Sequence, residues 1–160
     1  MPTDAVDFPT LALDPTGLVA RTLAPPADQT TSMSGAAYPP AGALQLEDDP
    51  VQTGPLLSAA GVDLVSVNLT TVYQAKDPSA AQALAQGYGD FAGNTPAAQA
   101  ASPVPGLPDS HCTRVAGSNG LVPRYWCLAV AGRYTIKTVA RQLDNAQHQM
   151  AAQYRILTGG

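Results

Sequence analysis

Residues 125–138 read YWCLAVAGRYTIKT, two alternating segments on either side of Gly132-Arg133. Period-two alternation of aromatic, β-branched and small apolar residues indicates two strands, and a glycine-containing pair between them indicates a tight hairpin turn. The return strand begins at Tyr134. In the first strand the side chains predicted to share one face are Trp126, Leu128 and Val130, and those predicted on the other are Tyr125, Cys127 and Ala129.

The strongest helical pattern follows this hairpin. Apolar residues recur three or four positions apart up to the final Gly159-Gly160, which is typical of an amphipathic helix with a glycine terminator. The residues of this stripe are Val139, Leu143, Ala146, Met150, Tyr154 and Leu157.

A similar order occurs earlier in the chain. Residues 62–75 alternate as a strand, or as a hairpin broken near Asn68, and Asp77-Pro78 then supplies an N-cap and a first-turn proline for a second amphipathic helix. A shorter helix is predicted within 48–60, beginning at Pro50 or at Pro55 and ending at Gly61.

These elements predict an α+β fold, an antiparallel sheet with its helices packed on one face. Strand or hairpin followed by helix occurs at 62–91 and again at 125–158, which suggests a pseudo-repeat of hairpin-helix units. Few residues are identical between the two copies, so chance similarity stays as the alternative.

Two segments are rich in proline and predict little regular structure. Residues 1–47 are expected to be an irregular Pro-rich segment that wraps a single α+β domain formed by residues 48–160. Within that domain, residues 92–110 are Pro- and Ala-rich and are expected to form a flexible loop.

Cys112 and Cys127 are the only cysteines. The pair lacks the spacing of a Cys-x-x-Cys redox motif, and a zinc site would need further ligands where only His111 is adjacent. We therefore expect a structural disulfide, formed in an extracytoplasmic, oxidising compartment. The N-terminus, which begins Met1-Pro2-Thr3-Asp4, has no basic region followed by an apolar core, so we expect an export signal and a membrane anchor to belong to the full-length precursor.

The net charge of −4 is unevenly distributed. Residues 1–110 carry eleven acids against Arg21 and Lys76, a net charge of −9, whereas residues 111–160 carry a net charge of +5. The two parts are expected to pack together and partly neutralise one another, or to leave a basic patch for an anionic partner. Nucleic acid is not expected as a partner, because the acidic part would repel phosphate.

No catalytic residue and no cofactor site is predicted. His111 and His148 have no further ligands at metal-binding spacing, and both are expected in solvent. The acidic run Glu47-Asp48-Asp49 lacks the alternating oxygen ligands of a calcium loop, and no serine nucleophile motif or phosphate loop is present.

The basic residues around the hairpin are the predicted site. Trp126 and Tyr134 are expected to pack on the terminal helix, which leaves Arg114, Arg133 and Lys137 as a stripe on the opposite sheet face. Such a stripe, beside the disulfide, is the candidate partner-binding surface.

Several short motifs resemble an uncharacterised family of mycobacterial lipoproteins. They are AYPP at 37–40, DDP at 48–50, AGVD at 60–63, TTVYQAKD at 70–77, CLAVAGRY at 127–134 and AAQYRIL at 151–157. The resemblance implies an exported, lipid-anchored protein and no catalytic residues.

Together these observations predict a non-catalytic binding or accessory domain of the cell envelope. Its expected partner is an envelope protein or membrane complex, or an anionic lipid surface. The alternative is a carrier of a small molecule or lipid, held in an apolar cavity between the sheet and the helices.

Overall fold

The computed structural model describes residues 8–24, 35–44, 50–95, 97–107, 109–116 and 122–159. Within them the chain forms one seven-stranded antiparallel sheet in the order β1-β2-β3-β7-β6-β5-β4, which confirms the predicted α+β fold. The strands are β1 (Ala36–Tyr38), β2 (Leu64–Val67), β3 (Thr71–Gln74), β4 (Gln99–Ala101), β5 (His111–Val115), β6 (Arg124–Ala131) and β7 (Tyr134–Ala140).

The predicted hairpin is β6 and β7, joined at Gly132-Arg133 with Ala131 opposite Tyr134. Gly132 has a φ of 57°, as expected for the first central position of a type II′ turn. A Cβ atom at Gly132 would lie 1.9 Å from the carbonyl oxygen of Pro9, so only glycine fits. The N–H of Arg133 donates to that same oxygen at 2.7 Å, which ties the N-terminal segment to the hairpin.

Most of the predicted helices begin at the capping residues identified in the sequence. Asp77 accepts a hydrogen bond from the N–H of Ala80 at 2.7 Å, and the 48–60 helix begins at Pro50 and continues through Pro55. The terminal helix is shorter than predicted, because Val139 lies in β7. The helices are α1 (Pro15–Ala20), α2 (Pro40–Ala43), α3 (Pro50–Ala59), α4 (Pro78–Gly93) and α5 (Leu143–Thr158), and Phe8–Thr10 form a 3-10 turn.

The prediction that the helices pack on one face was wrong. Leu84 and Tyr88 of α4 pack with Trp126 on one face of the sheet, whereas Met150 of α5 packs with Ile136 on the other. The physical reason is that the central strands are apolar on both faces, so each face needs a covering layer. Trp126 therefore packs beneath α4 rather than on the terminal helix.

The hairpin-helix order does occur twice, as β2-β3-α4 and β6-β7-α5. Strands β3 and β7 are antiparallel neighbours, with Val72 opposite Ile136. A two-fold axis through this pair would keep both helices on one face, whereas α4 and α5 lie on opposite faces. The two units therefore do not form a symmetric repeat.

The first 47 residues contribute more regular structure than predicted. Helix α1 and strand β1 belong to the fold, and Leu18 of α1 is fully buried in the core. Two fully buried glutamines hold this segment: Gln74 accepts from the N–H of Leu13 at 2.7 Å, and Gln153 accepts from the N–H of Leu23 at 2.7 Å. These bonds connect residues far apart in the sequence, so no local pattern could indicate them.

Tyr134 belongs to the same buried polar network. Its hydroxyl group donates to the carbonyl oxygen of Leu11 and lies 2.9 Å from Oε1 of Gln74. Burial in the protein raises the pKa of this hydroxyl from 10.0 to about 12, because the charged phenolate would lose its hydration.

This shift predicts a pH dependence of stability. Between about pH 10 and pH 12 the unfolded chain loses the Tyr134 proton that the folded chain retains, so the free energy of unfolding should fall as pH rises. Tyr134→Phe should be about 1 kcal/mol less stable at pH 7 and show a shallower fall above pH 10. Urea unfolding followed by circular dichroism measures both. Parallel pH profiles for the two proteins would contradict the assignment.

The segment expected to be a flexible loop also contains ordered elements. Helix α4 extends to Gly93, and residues 99–101 form the edge strand β4, which pairs with β5. The acidic run at 47–49 and the residues 118–120, which have the composition of a turn, lie outside the described residues.

Candidate functional site

The predicted disulfide joins the two strands beside the hairpin. Cys112 of β5 lies directly opposite Cys127 of β6, their Cα atoms are 4.1 Å apart, and the bond between them is formed. Both side chains are buried on the α5 face of the sheet. The disulfide prediction is therefore confirmed, and the bond fixes β5 against the central hairpin.

The predicted basic stripe does not assemble. Arg114 pairs with Tyr125 on the α5 face of β5, whereas Lys137 points to the α4 face of β7. Arg133 lies in the hairpin turn, at the opposite end of β6 from Tyr125, and donates to the carbonyl oxygen of Lys76 at 2.9 Å. These three side chains therefore share no single surface.

Lys137 is in addition buried, with only 8% of its surface exposed. Its Nζ atom lies 5.8 Å from the ring centroid of Tyr73, 5.1 Å from that of Tyr88 and 4.9 Å from that of Trp126. These distances are within the range of cation–π attraction. Lys137 thus belongs to the core beneath α4, because the second helical layer covers the face predicted to be exposed.

A cleft lies where β5 is shorter than its neighbour β6. Strand β5 begins at His111, opposite Leu128, so the next residues of β6 have a strand beside them only on the β7 side. The space beyond the end of β5 is an open cleft of about 580 Å³. We call it the β5 cleft, and its lining includes Gln82, Gln86, Asp109, His111, Leu128 and Val130.

A second depression continues this cleft along α4. It has a volume of about 420 Å³ and shares Gln86, Ser110 and His111 with the β5 cleft. We call it the α4 groove, and its other lining residues include Gly89, Asp90, Ala100, Pro103 and Thr113. The two volumes form one path between α4 and the edge of the sheet.

The charge of this path is negative. Asp109 lines the β5 cleft and Asp90 lines the α4 groove, and no lysine or arginine is among the described residues that line either one. The side-chain amide of Gln86 donates to Asp90 at 3.0 Å. His111 is exposed and lines both the β5 cleft and the α4 groove. The surface therefore suits a cationic or neutral ligand better than an anionic one.

The wall of the β5 cleft is held by specific hydrogen bonds. The N–H of Val104 donates to the hydroxyl oxygen of Ser110 at 2.8 Å, and that hydroxyl donates to the carbonyl oxygen of Leu107 at 2.6 Å. The amide of Gln147 on α5 donates to the carbonyl oxygens of Ser102 at 3.0 Å and Pro103 at 3.1 Å. These hydrogen bonds fix the backbone that forms this wall of the cleft.

Sequence patterns gave little indication of this cleft. Its lining combines glutamines and apolar residues with single serine, aspartate, histidine and tyrosine side chains, and none of these forms a catalytic or metal-binding motif in the sequence. The difference in strand length arises because the N–H of Ser110 donates to the carbonyl oxygen of Leu107 at 3.0 Å and turns the backbone just before β5 begins. Among the described residues, no group of three His, Cys, Asp or Glu side chains is placed to hold a metal ion.

Comparison with known proteins gives one match. Over residues 18–159 the chain matches the family described as "Domain of unknown function (DUF7373) C-terminal". No curated protein and no solved structure matches the chain significantly. The matched range begins at Leu18 in α1 and includes every strand of the sheet. The predicted kinship with an uncharacterised family is confirmed at this level: the chain belongs to the family of the DUF7373 C-terminal domain.

Proposed function

We propose that this chain is a non-catalytic, extracytoplasmic domain of the cell envelope that binds a protein partner in the β5 cleft. The observation that carries this proposal is the cleft itself, a concave surface with ordered walls at the end of a strand. Clefts of this size are the usual place for ligand recognition in proteins of unknown function. The dispersal of Arg114, Arg133 and Lys137 moves the proposed site from the basic stripe to this cleft.

The proposed location is supported by the disulfide and by the resemblance to exported lipoproteins. A bond between Cys112 and Cys127 forms and persists in an oxidising compartment. None of the helices in the described part of the chain is both long enough and apolar enough to cross a bilayer. In this proposal a lipid anchor on the actinobacterial precursor, outside the domain, supplies the attachment to the membrane.

An anionic lipid surface is the less favoured partner. The exposed path between α4 and β5 carries Asp90 and Asp109, and the whole chain has a net charge of −4. Like charges on a domain and a bilayer repel one another within about 10 Å at 0.1 M salt. A protein partner is therefore favoured.

The test places a charge in the cleft and a matched charge outside it. Gln86 and Ala83 both lie on α4, but only Gln86 lines the cleft, and Ala83 is exposed elsewhere on the helix. Gln86→Lys should reduce capture of the partner from detergent-solubilised envelope at least tenfold, because it inserts a long cation into the cleft. Ala83→Lys should capture as much as the wild-type domain.

Quantitative mass spectrometry of the captured proteins provides the measurement. A protein enriched by the wild type and by Ala83→Lys, but lost from Gln86→Lys, supports the cleft as the site. Equal capture by all three proteins contradicts it. Circular dichroism of each variant verifies that the fold is retained.

A small-molecule carrier is the second candidate, because a volume of about 580 Å³ is sufficient for a small ligand. Native mass spectrometry distinguishes the two functions. A carrier purified gently from its host should retain a bound small molecule, whereas a protein-binding domain should have the mass of the chain alone.

A further inference from the structure

The register of β6 defines which main-chain groups face the β5 cleft. Ala131 and Tyr134 flank a two-residue turn, so they form a hydrogen-bonded pair of the ladder between β6 and β7. Hydrogen-bonded and non-hydrogen-bonded positions alternate along an antiparallel strand. The N–H and C=O groups of Leu128 and Val130 therefore point towards β5, away from β7.

The disulfide supports this register independently. Directly opposed residues at non-hydrogen-bonded positions have Cα atoms about 4.5 Å apart, compared with about 5.5 Å at hydrogen-bonded positions. The Cα atoms of Cys112 and Cys127 are 4.1 Å apart, so this pair is non-hydrogen-bonded. Leu128, one residue further along β6, then bonds to His111 at the end of β5.

Val130 is the next position of β6 whose main-chain groups point away from β7, and on that side no strand lies opposite it. The chain cannot continue β5 there, because the N–H of Ser110 donates to the carbonyl oxygen of Leu107 at 3.0 Å and turns the backbone away. Both main-chain groups of Val130 therefore face the cleft that Val130 itself lines. This position is equivalent to a vacant rung of the ladder.

We propose that the β5 cleft takes a short, extended and basic segment of the partner protein, which continues the line of β5 by pairing with the main chain of Val130. The proposal rests on the proposed function and names the chemistry of the partner. The segment runs antiparallel to β6, accepting a hydrogen bond from the N–H of Val130 and donating one to its C=O. Strand addition of this kind is a recurrent mode of peptide recognition.

The charge of the lining gives the side-chain preference. A segment that continues β5 passes Asp109, and Asp90 lines the adjoining α4 groove. Because no lysine or arginine is among the described lining residues, a lysine or arginine of the segment gains an attraction that an acidic segment would not. The side chains of Leu128 and Val130 in the lining are apolar. Side chains at alternate positions of the bound segment face the same side of the sheet, so a small apolar residue is expected at the position that faces Leu128 and Val130.

The test uses immobilised, end-capped heptapeptides, randomised at each position, with the fluorescently labelled full chain as the ligand. We expect the retained peptides to be enriched in lysine or arginine and depleted in proline. The best sequence is then made with a single N-methyl group at each position in turn. N-methylation at the one residue that pairs with Val130 should weaken binding at least tenfold, because it removes the donor.

The protein side of the test neutralises the carboxylates. Asp90→Asn with Asp109→Asn should weaken binding of the best peptide at least fivefold, whereas Asp144→Asn, at an exposed position of α5 that does not line the cleft, should leave it unchanged. Selection of no peptide or of acidic peptides, or equal binding of all N-methylated forms, would overturn the proposal. If the Gln86→Lys variant still loses its envelope partner in that case, the proposed function stands and only the extended-segment mode fails.

Discussion

Replacement of Cys112 and Cys127 together by alanine is expected to lower the free energy of unfolding by about 3 kcal/mol. The bond closes a loop with a sequence separation of 15 residues, and its loss returns the entropy of that loop to the unfolded chain. For a chain of this length the melting temperature should fall by roughly 6–12 °C. The effect is large because the bond also fixes β5, which is paired with the edge strand β4 on its other side.

Urea unfolding, monitored by circular dichroism, measures the loss. Wild-type protein treated with a reductant provides the control, because it loses the same loop closure without losing the sulfur atoms. The two samples should agree to within about 1 kcal/mol, the residual being the packing of two small buried side chains. Identical midpoints for oxidised and reduced wild type would contradict the expected contribution of the bond.

The central hairpin and the disulfide were predictable because their signals are local. Alternation across residues 125–138 gave the strands, and Gly132-Arg133 gave the turn. The caps at Asp77 and Gly159 are also encoded within a few residues of the helix ends. Local chemistry of this kind is sufficient to place an element, and in most cases to orient its faces.

The placement of helices on both faces was harder to predict, although part of the signal was present. Strand β6 is apolar at Trp126 and Leu128 on one side and at Cys127 and Ala129 on the other. An antiparallel strand with two apolar faces needs cover on both, whereas a single helical layer suits strict alternation of polar and apolar residues. Because the chain has few charged residues, few strand positions distinguish a face covered by helices from a face exposed to solvent.

The N-terminal segment could not be predicted because its stability comes from distant partners. Gln74 and Gln153 are polar residues in a strand and a helix, and nothing near them in the sequence indicates that they are fully buried. Their partners, at Leu13 and Leu23, are 61 and 130 residues away. A buried side-chain amide requires such partners, and here the backbone of the N-terminal segment provides them.

The candidate site was missed for a related reason. Lys137 shares one face of β7 with Thr135 and alternates with Ile136, and alternation alone cannot tell solvent from a second layer of helices. The β5 cleft depends on where β5 ends relative to β6, which is a property of the assembled sheet. Its lining comes from α4, from residues before and at the start of β5, from β6 and from Tyr154 of α5, elements that are distant in the sequence.

Lys137→Glu is expected to destabilise the domain by at least about 3 kcal/mol, the typical cost of an uncompensated buried charge. The new carboxylate would lie among the rings of Tyr73, Tyr88 and Trp126, whose negative faces attract the native ammonium group and would repel an anion. Burial would also raise the pKa of this glutamate, so it would be charged at a further cost as pH rises. The loss of stability relative to wild type should therefore grow between pH 4 and pH 8.

Two further variants separate charge from packing and position. Lys137→Met keeps most of the side-chain volume without a charge, and we expect its stability to be within about 1 kcal/mol of wild type. Arg114→Glu, on a half-buried side chain of β5, should change stability by about 0.5 kcal/mol or less. Urea unfolding measured by circular dichroism at pH 4, 6 and 8 provides all the values. If Lys137→Glu were as stable as Arg114→Glu at pH 8, Lys137 would have to face solvent, and a basic surface on this face of the sheet would again be the better candidate for partner binding.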